Sequence, residues 1–186
     1  MGARGAGGAG VRVLVTGGVR SGKSRHAEQL LAGEGDVTYV APGPTTQEDP
    51  DPDWAARIAA HRARRPSTWT TLESRDLAVA LATPGAVLVD CLGTWLTAVL
   101  DEAAAWELPS GQVQALVAER LEPAVAALGS ARGPVVLVTN EVGLGVVPAH
   151  RSGRLFRDLL GTVNQAVGAA CDEVHLVVAG RVLVLP

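Results

Sequence analysis

Apolar and polar positions fall in blocks along the chain: short runs of aliphatic and β-branched residues separate longer stretches with helical spacing. Val11–Thr16, Asp36–Ala41, Ala86–Cys91 and Pro134–Thr139 are apolar runs of strand length bounded by turn residues, and they predict buried strands. Trp69–Leu72 predicts a further short strand. Helical periodicity covers Ser24–Ala32, which stops at Gly33, and Trp54–Arg64, which stops before Pro66. It recurs over Ser74–Ala82, Leu92–Trp106, Gln112–Leu128 and Arg154–Ala170. APGPTTQEDPDPD, after the second strand, reads as loop by composition. The closing EVHLVVAGRVLVLP holds two strands around Ala-Gly, a C-terminal antiparallel hairpin. Apolar strands alternating with helices predict an α/β fold, a mostly parallel sheet with helices on both faces.

Composition narrows the function classes. The 186 residues suit one domain, with residues 1–10 (MGARGAGGAG) as a flexible tail and 11–186 as a single folded domain. A net charge of −3 excludes a general nucleic-acid binder, so any phosphate site must be a local concentration of Arg and Lys. No apolar stretch approaches the ~20 residues of a membrane span. Cys91 and Cys171 are too few and too distant for a metal motif. They predict free thiols in a reducing, cytoplasmic compartment.

The sharpest motif is Gly17-Gly18-Val19-Arg20-Ser21-Gly22-Lys23-Ser24, which meets G-x-x-x-x-G-K-[ST] at every fixed position. It lies between a strand and a helix, as a phosphate-binding loop must. The glycines let backbone N–H groups curl around phosphate oxygens, and the helix points its positive end at them. Lys23 reaches the β- and γ-phosphates, and the Ser24 hydroxyl ligates Mg²⁺. The metal's acidic partner belongs at the end of a neighbouring apolar strand, which selects Asp90, unless that carboxylate merely caps the next helix. Glu73 and Glu141 are weaker candidates.

A second feature is RIAAHRARRPSTWTTLE, residues 57–73. On a helix, Arg57, His61 and Arg64 share one face, and Arg65 follows at its end. Two readings stay open on the residues alone: a solvated basic face, or a phosphate-handling surface with His61 as nucleophile. Neighbouring guanidinium groups disfavour imidazolium, which keeps such a histidine neutral and nucleophilic. His26, His150 and His175, like Trp54, Trp69, Trp95 and Trp106, read as packing or surface residues, with Trp54 and Trp69 placed to touch a large ligand.

TGGVRSGKSRHAE, then RI-x-x-H-x-x-x-R-P-x-x-W-x-T-x-E, then VTNEVGLGVVP and FRDLLGTVNQ occur in one order from Val11 onward. In these motifs the chain resembles the bifunctional adenosylcobinamide kinase/adenosylcobinamide-phosphate guanylyltransferases of cobalamin biosynthesis. The resemblance implies a P-loop, RecA-like fold and a homotrimer. It also implies two reactions: phosphorylation of adenosylcobinamide by ATP or GTP, and transfer of GMP from GTP through a covalent GMP-histidine to the cobinamide phosphate. The family's histidine falls on His61. Its GTP-binding positions fall on Gly17–Ser24, on Ala41, Pro42 and Gly43, on Arg62, Ala63, Arg64 and Arg65, and on Glu73 and Asp90. Ala41-Pro42-Gly43 departs from the Thr or Ser that relatives often carry there, so contacts at that segment must come from backbone groups. Two rival readings of the residues are a single-activity small-metabolite kinase and a non-catalytic nucleotide-dependent switch.

Overall fold

The apolar runs become the strands of one seven-stranded sheet in a computed structural model that describes residues 10–185. They are β1 (Arg12–Gly17), β2 (Val37–Val40), β3 (Thr70–Leu72), β4 (Ala86–Asp90), β5 (Val135–Val138), β6 (Glu173–Val178) and β7 (Arg181–Leu185). Their spatial order is β3-β2-β4-β5-β1-β6-β7. The first six strands run parallel, and β7 returns antiparallel on β6, as the hairpin pattern requires. Apart from Gly10, the expected N-terminal tail lies outside the described residues.

Helices α1 (Lys23–Leu30), α2 (Pro52–Arg64), α3 (Leu77–Leu81), α4 (Leu92–Glu102), α5 (Ser110–Ser130) and α6 (Arg151–Ala169) fill the crossovers. Most boundaries match the periodicity, and the departures have local causes. The loop expectation fails at Pro52, where Asp51 accepts from the Asp53 N–H and proline occupies the first turn, so α2 starts two residues early. The helix expected to reach Trp106 ends at Glu102, because Ala104 turns left-handed (φ 47°) before a 3₁₀ turn at Ala105–Glu107. Asp76 caps α3 through the Val79 N–H, trimming the expected start at Ser74.

Side chains alternate between the two faces of the sheet. Leu14, Val40, Val87, Val89, Val135 and Leu137 pack with α3, α4, α5 and α6 in one core. Val13, Val15, Tyr39, Leu88, Val136 and Val138 pack on the other face with Ala27 and Leu31. A one-residue slip of any strand would exchange these sets, so the cores fix the register and with it the strand ends that carry the site.

Candidate active site

The phosphate loop is shaped by backbone constraints that few residues satisfy. A Cβ at Gly17 would strike the Val177 carbonyl oxygen, so β1 and β6 approach this closely only because Gly17 has none. Arg20 (φ 56°) and Gly22 (φ 100°) then take left-handed conformations and turn the chain into α1. Three backbone bonds brace the turn: Ser21 N–H to Gly18 O (3.3 Å), Glu141 N–H to Gly17 O (3.1 Å) and Gly180 N–H to Ser21 O (2.9 Å). No side chain caps α1, so its first N–H groups remain free to meet an anion. Lys23 is buried and donates from Nζ to Gly18 O at 3.2 Å. Burial pulls its ammonium below the ordinary lysine range, and the Arg57 charge adds to this, while Cys91 and Asp90 oppose it.

Helix α2 forms the opposite wall. None of its residues is buried, so contacts at its rim hold it in place. Trp54 Nε1–H donates to Pro44 O at 2.9 Å. Arg64 pairs with Glu28 of α1 at 3.1 Å, and Arg62 pairs with Glu73 at 2.7 Å. Arg65 lies over the Tyr39 ring, 3.7 Å from its centroid, and donates to His61 O and Thr71 Oγ1. These contacts turn Arg57, His61 and Arg64 toward the phosphate loop, and the three line one cleft with Ser21, Lys23 and Ser24.

His61 Nδ1 lies 3.6 Å from Asp90 Oδ2, with only 22% of the histidine side chain and 9% of the aspartate exposed. The Tyr39 hydroxyl donates to the same Oδ2 at 3.2 Å, and burial raises that phenol well above its ordinary range. Burial, more than anything else, lowers the His61 pKa below the ordinary histidine value. Arg64 and Arg57 push the same way, against Asp90 and Glu28. The imidazole is therefore kept neutral, with its Nε2 side away from Asp90. Asp90 does not cap the next helix, since Cys91 occupies the N-cap of α4.

Beside the cleft is a second cavity, which Ala41, Gly43, Arg62, Arg65, Glu73 and Asp90 line together with Tyr39, Trp54, Thr94 and Asn140. His61 and Arg57 are the two residues common to both spaces. The structure gathers most of the expected residues at one of these spaces. Gly17, Gly18, Val19, Pro42 and Ala63 line neither; Val19 and Ala63 face solvent, and Pro42 is buried. The Ala41 N–H is already bonded to Leu72 O at 2.9 Å, so backbone donors at that segment are fewer than the sequence implies. Glu141 serves its own loop by accepting from the Gly143 N–H. Tyr39, Thr94 and Asn140 escaped the sequence reading. Asn140 alone had a signal, its place directly after a buried strand.

Magnesium can be tested against the donor set. No group of three His, Cys, Asp or Glu side chains able to hold a metal occurs among the described residues. Ser24 lines the cleft and Asp90 the neighbouring cavity, and a hydroxyl and a carboxylate are the kinds of donor Mg²⁺ takes from a protein when water and substrate phosphates supply its other ligands.

A phosphate loop, a lysine drawn into it and an arginine-flanked histidine across the cleft define a P-loop nucleoside-triphosphate enzyme. The prototypical ATPase from the type III secretion system of pathogenic bacteria shares the fold. It aligns at TM-score 0.51 and 13% identity over 90% of this chain and 51% of its own. The chain belongs to the cobinamide kinase / cobinamide phosphate guanyltransferase family, whose model matches residues 13–185. It is 40% identical over 179 residues to the bifunctional adenosylcobalamin biosynthesis protein CobU of Salmonella typhimurium, covering 90% of this chain and 96% of that one. Identity to the Escherichia coli CobU is 42%, with the same coverage. The Pseudomonas aeruginosa protein CobP is also 42% identical, over 91% of this chain and 94% of its own. The protein is thus a bifunctional enzyme of adenosylcobalamin biosynthesis, a kinase and a guanylyltransferase.

Proposed function

We propose that one nucleotide site serves both reactions, and that guanylyl transfer passes through a covalent GMP on His61. The observation that carries this reading is the place of His61 on the boundary between the phosphate-loop cleft and the neighbouring cavity. A nucleotide with its triphosphate in the cleft and its nucleoside in the cavity brings its α-phosphorus to that boundary. The Nε2 lone pair forms a P–N bond to the α-phosphorus. The α–β bridging oxygen leaves with its electron pair, as pyrophosphate. Nδ1 keeps its proton toward Asp90, which stabilises the imidazolium as it forms. The cobinamide phosphate then attacks the same phosphorus, the P–N bond breaks, and neutral His61 returns.

The kinase step needs less from the protein. The acceptor hydroxyl attacks the γ-phosphorus of ATP or GTP, its proton passes to water, and the bond to the β–γ bridging oxygen breaks as the nucleoside diphosphate leaves. Lys23 and the α1 N-terminus neutralise charge on the transferring group. Ser24 and Asp90 would hold Mg²⁺, which when bound offsets triphosphate charge. The family resemblance supports a homotrimer, and the low count and wide spacing of the cysteines in the sequence support a cytoplasmic setting. No helix among the described residues is long and apolar enough to cross a membrane.

Intact-mass measurement after incubation with GTP and Mg²⁺ tests the reading. The expected product is the chain plus one GMP, absent in His61→Ala, with some cobinamide kinase activity surviving in that variant. An adduct of undiminished yield in His61→Ala would move the nucleophile elsewhere.

A further inference from the structure

Arg57 is anomalous among the arginines of α2 and its C-cap. Arg62, Arg64 and Arg65 are each committed, to Glu73, to Glu28, and to Tyr39 with Thr71. Arg57 has no ion pair or hydrogen bond among the described residues, yet it is one of the two side chains shared by the cleft and the cavity. The other is His61, one helical turn later on the same face. An exposed, unpaired guanidinium on the rim shared by the two spaces can turn to an anion bound across them without first breaking a contact. With Lys23 already charged across the cleft, a second positive charge there gains most when an anion comes between them.

We propose that Arg57 is a catalytic residue of guanylyl transfer, its guanidinium bridging oxygens of the α- and β-phosphates while His61 attacks. The inference rests on the reading of His61 as nucleophile. A planar fork suits two oxygens on adjacent phosphates in a way that an ammonium does not. The bridge meets charge where it grows, on the oxygens around the α-phosphorus and on the departing pyrophosphate, as the P–N bond forms and the α–β P–O bond breaks. Such a contact is stronger in the transition state than with bound GTP, so its loss should fall on the rate.

The test is the time course of GMP-adduct formation, by intact mass, in wild type, Arg57→Ala, Arg57→Lys and His61→Ala over a range of GTP concentrations. At saturating GTP, Arg57→Ala should form the adduct about 10²–10³-fold more slowly. The GTP concentration for half-maximal rate should move less than about tenfold, and Arg57→Lys should recover only part of the rate. A rate in Arg57→Ala within about threefold of wild type at saturating GTP overturns the proposal, as does a loss confined to GTP affinity. Arg57→Lys and Arg57→Gln decide the matter should the alanine variant melt early. The two readings fail separately: an adduct in His61→Ala defeats the nucleophile, whereas no adduct in His61→Ala and normal kinetics in Arg57→Ala defeats Arg57 alone.

Discussion

The two walls of the cleft are built by opposite means. The phosphate loop grows out of a central strand, is tied by backbone hydrogen bonds to the segments after β5 and β6, and hides its lysine. Helix α2 buries none of its residues and is held by ion pairs, one cation–π contact and one tryptophan hydrogen bond. Backbone bonds and core packing give a rigid cradle, suited to a charge that must always be met in the same place. Exposed ion pairs contribute roughly 0–1 kcal/mol each and weaken with salt, so the wall that carries the histidine is the less firmly fixed of the two. Damage to the loop should therefore strike both reactions, and damage to α2 should separate them.

The strongest challenge to that contrast is Lys23→Ala. Loss of a buried, charge-assisted contact to the triphosphate should cost on the order of 2–3 kcal/mol of transition-state stabilisation, roughly 10²-fold, in both reactions. Parallel assays of kinase turnover and GMP-adduct formation check it. A fall in only one activity would mean that two nucleotide sites exist.

Asp90→Asn probes the point where the walls meet. The shape is nearly kept and the Tyr39 hydroxyl retains an acceptor, but the charge is gone. Guanylyl transfer should drop about tenfold or more, partly restored by raised Mg²⁺ through mass action, with little change in thermal melting. Unchanged metal dependence would confine Asp90 to holding His61.

The smallest effect expected is a displaced acid limb. Burial lowers the His61 pKa, and Arg64 and Arg57 lower it further, so adduct formation should persist below pH 6.5, where free histidine is mostly protonated. Arg64→Ala removes a lowering charge and should move the limb to higher pH; Asp90→Asn removes a raising one and should move it lower. Because the folded state binds this proton less readily, the contribution of His61 is complete above about pH 6.5 and is lost as pH falls below it. Rates of GMP-adduct formation from pH 5 to 8 measure the limb, and equal profiles in all three proteins would contradict the assignment.

The loop was legible because its signature is local: eight consecutive residues carry its glycines, lysine and serine, although segments after β5 and β6 brace the shape they take. The shared face of Arg57, His61 and Arg64 was legible too, as a matter of helical period, but its orientation was not. That depends on Glu28, Tyr39 and Glu73, brought to α2 from other elements by the sheet. Tyr39 sits in a run that reads simply as a buried strand, and nothing in VTYV announces that its hydroxyl meets Asp90. The pairing of His26 with His175 at 2.8 Å, and of His175 with Glu173 at 2.8 Å, was hidden in the same way, since β6 joins β1 only in the folded sheet. Ala41 shows the opposite case. The residue is plain in the sequence, but the pairing that occupies its N–H is set by β3.

The bond from Gly180 N–H to Ser21 O bears on the order of events during synthesis. Ser21 leaves the ribosome early, whereas the β6 carbonyl against which Gly17 packs, and the turn beyond it that braces the loop, emerge only after β2, β3, β4 and β5. A nascent chain that carries the complete phosphate motif but not the β6–β7 turn lacks the support that shapes it. Triphosphate binding should thus appear late in translation and abruptly, so that the growing chain passes most of its synthesis without drawing on the cell's nucleotides.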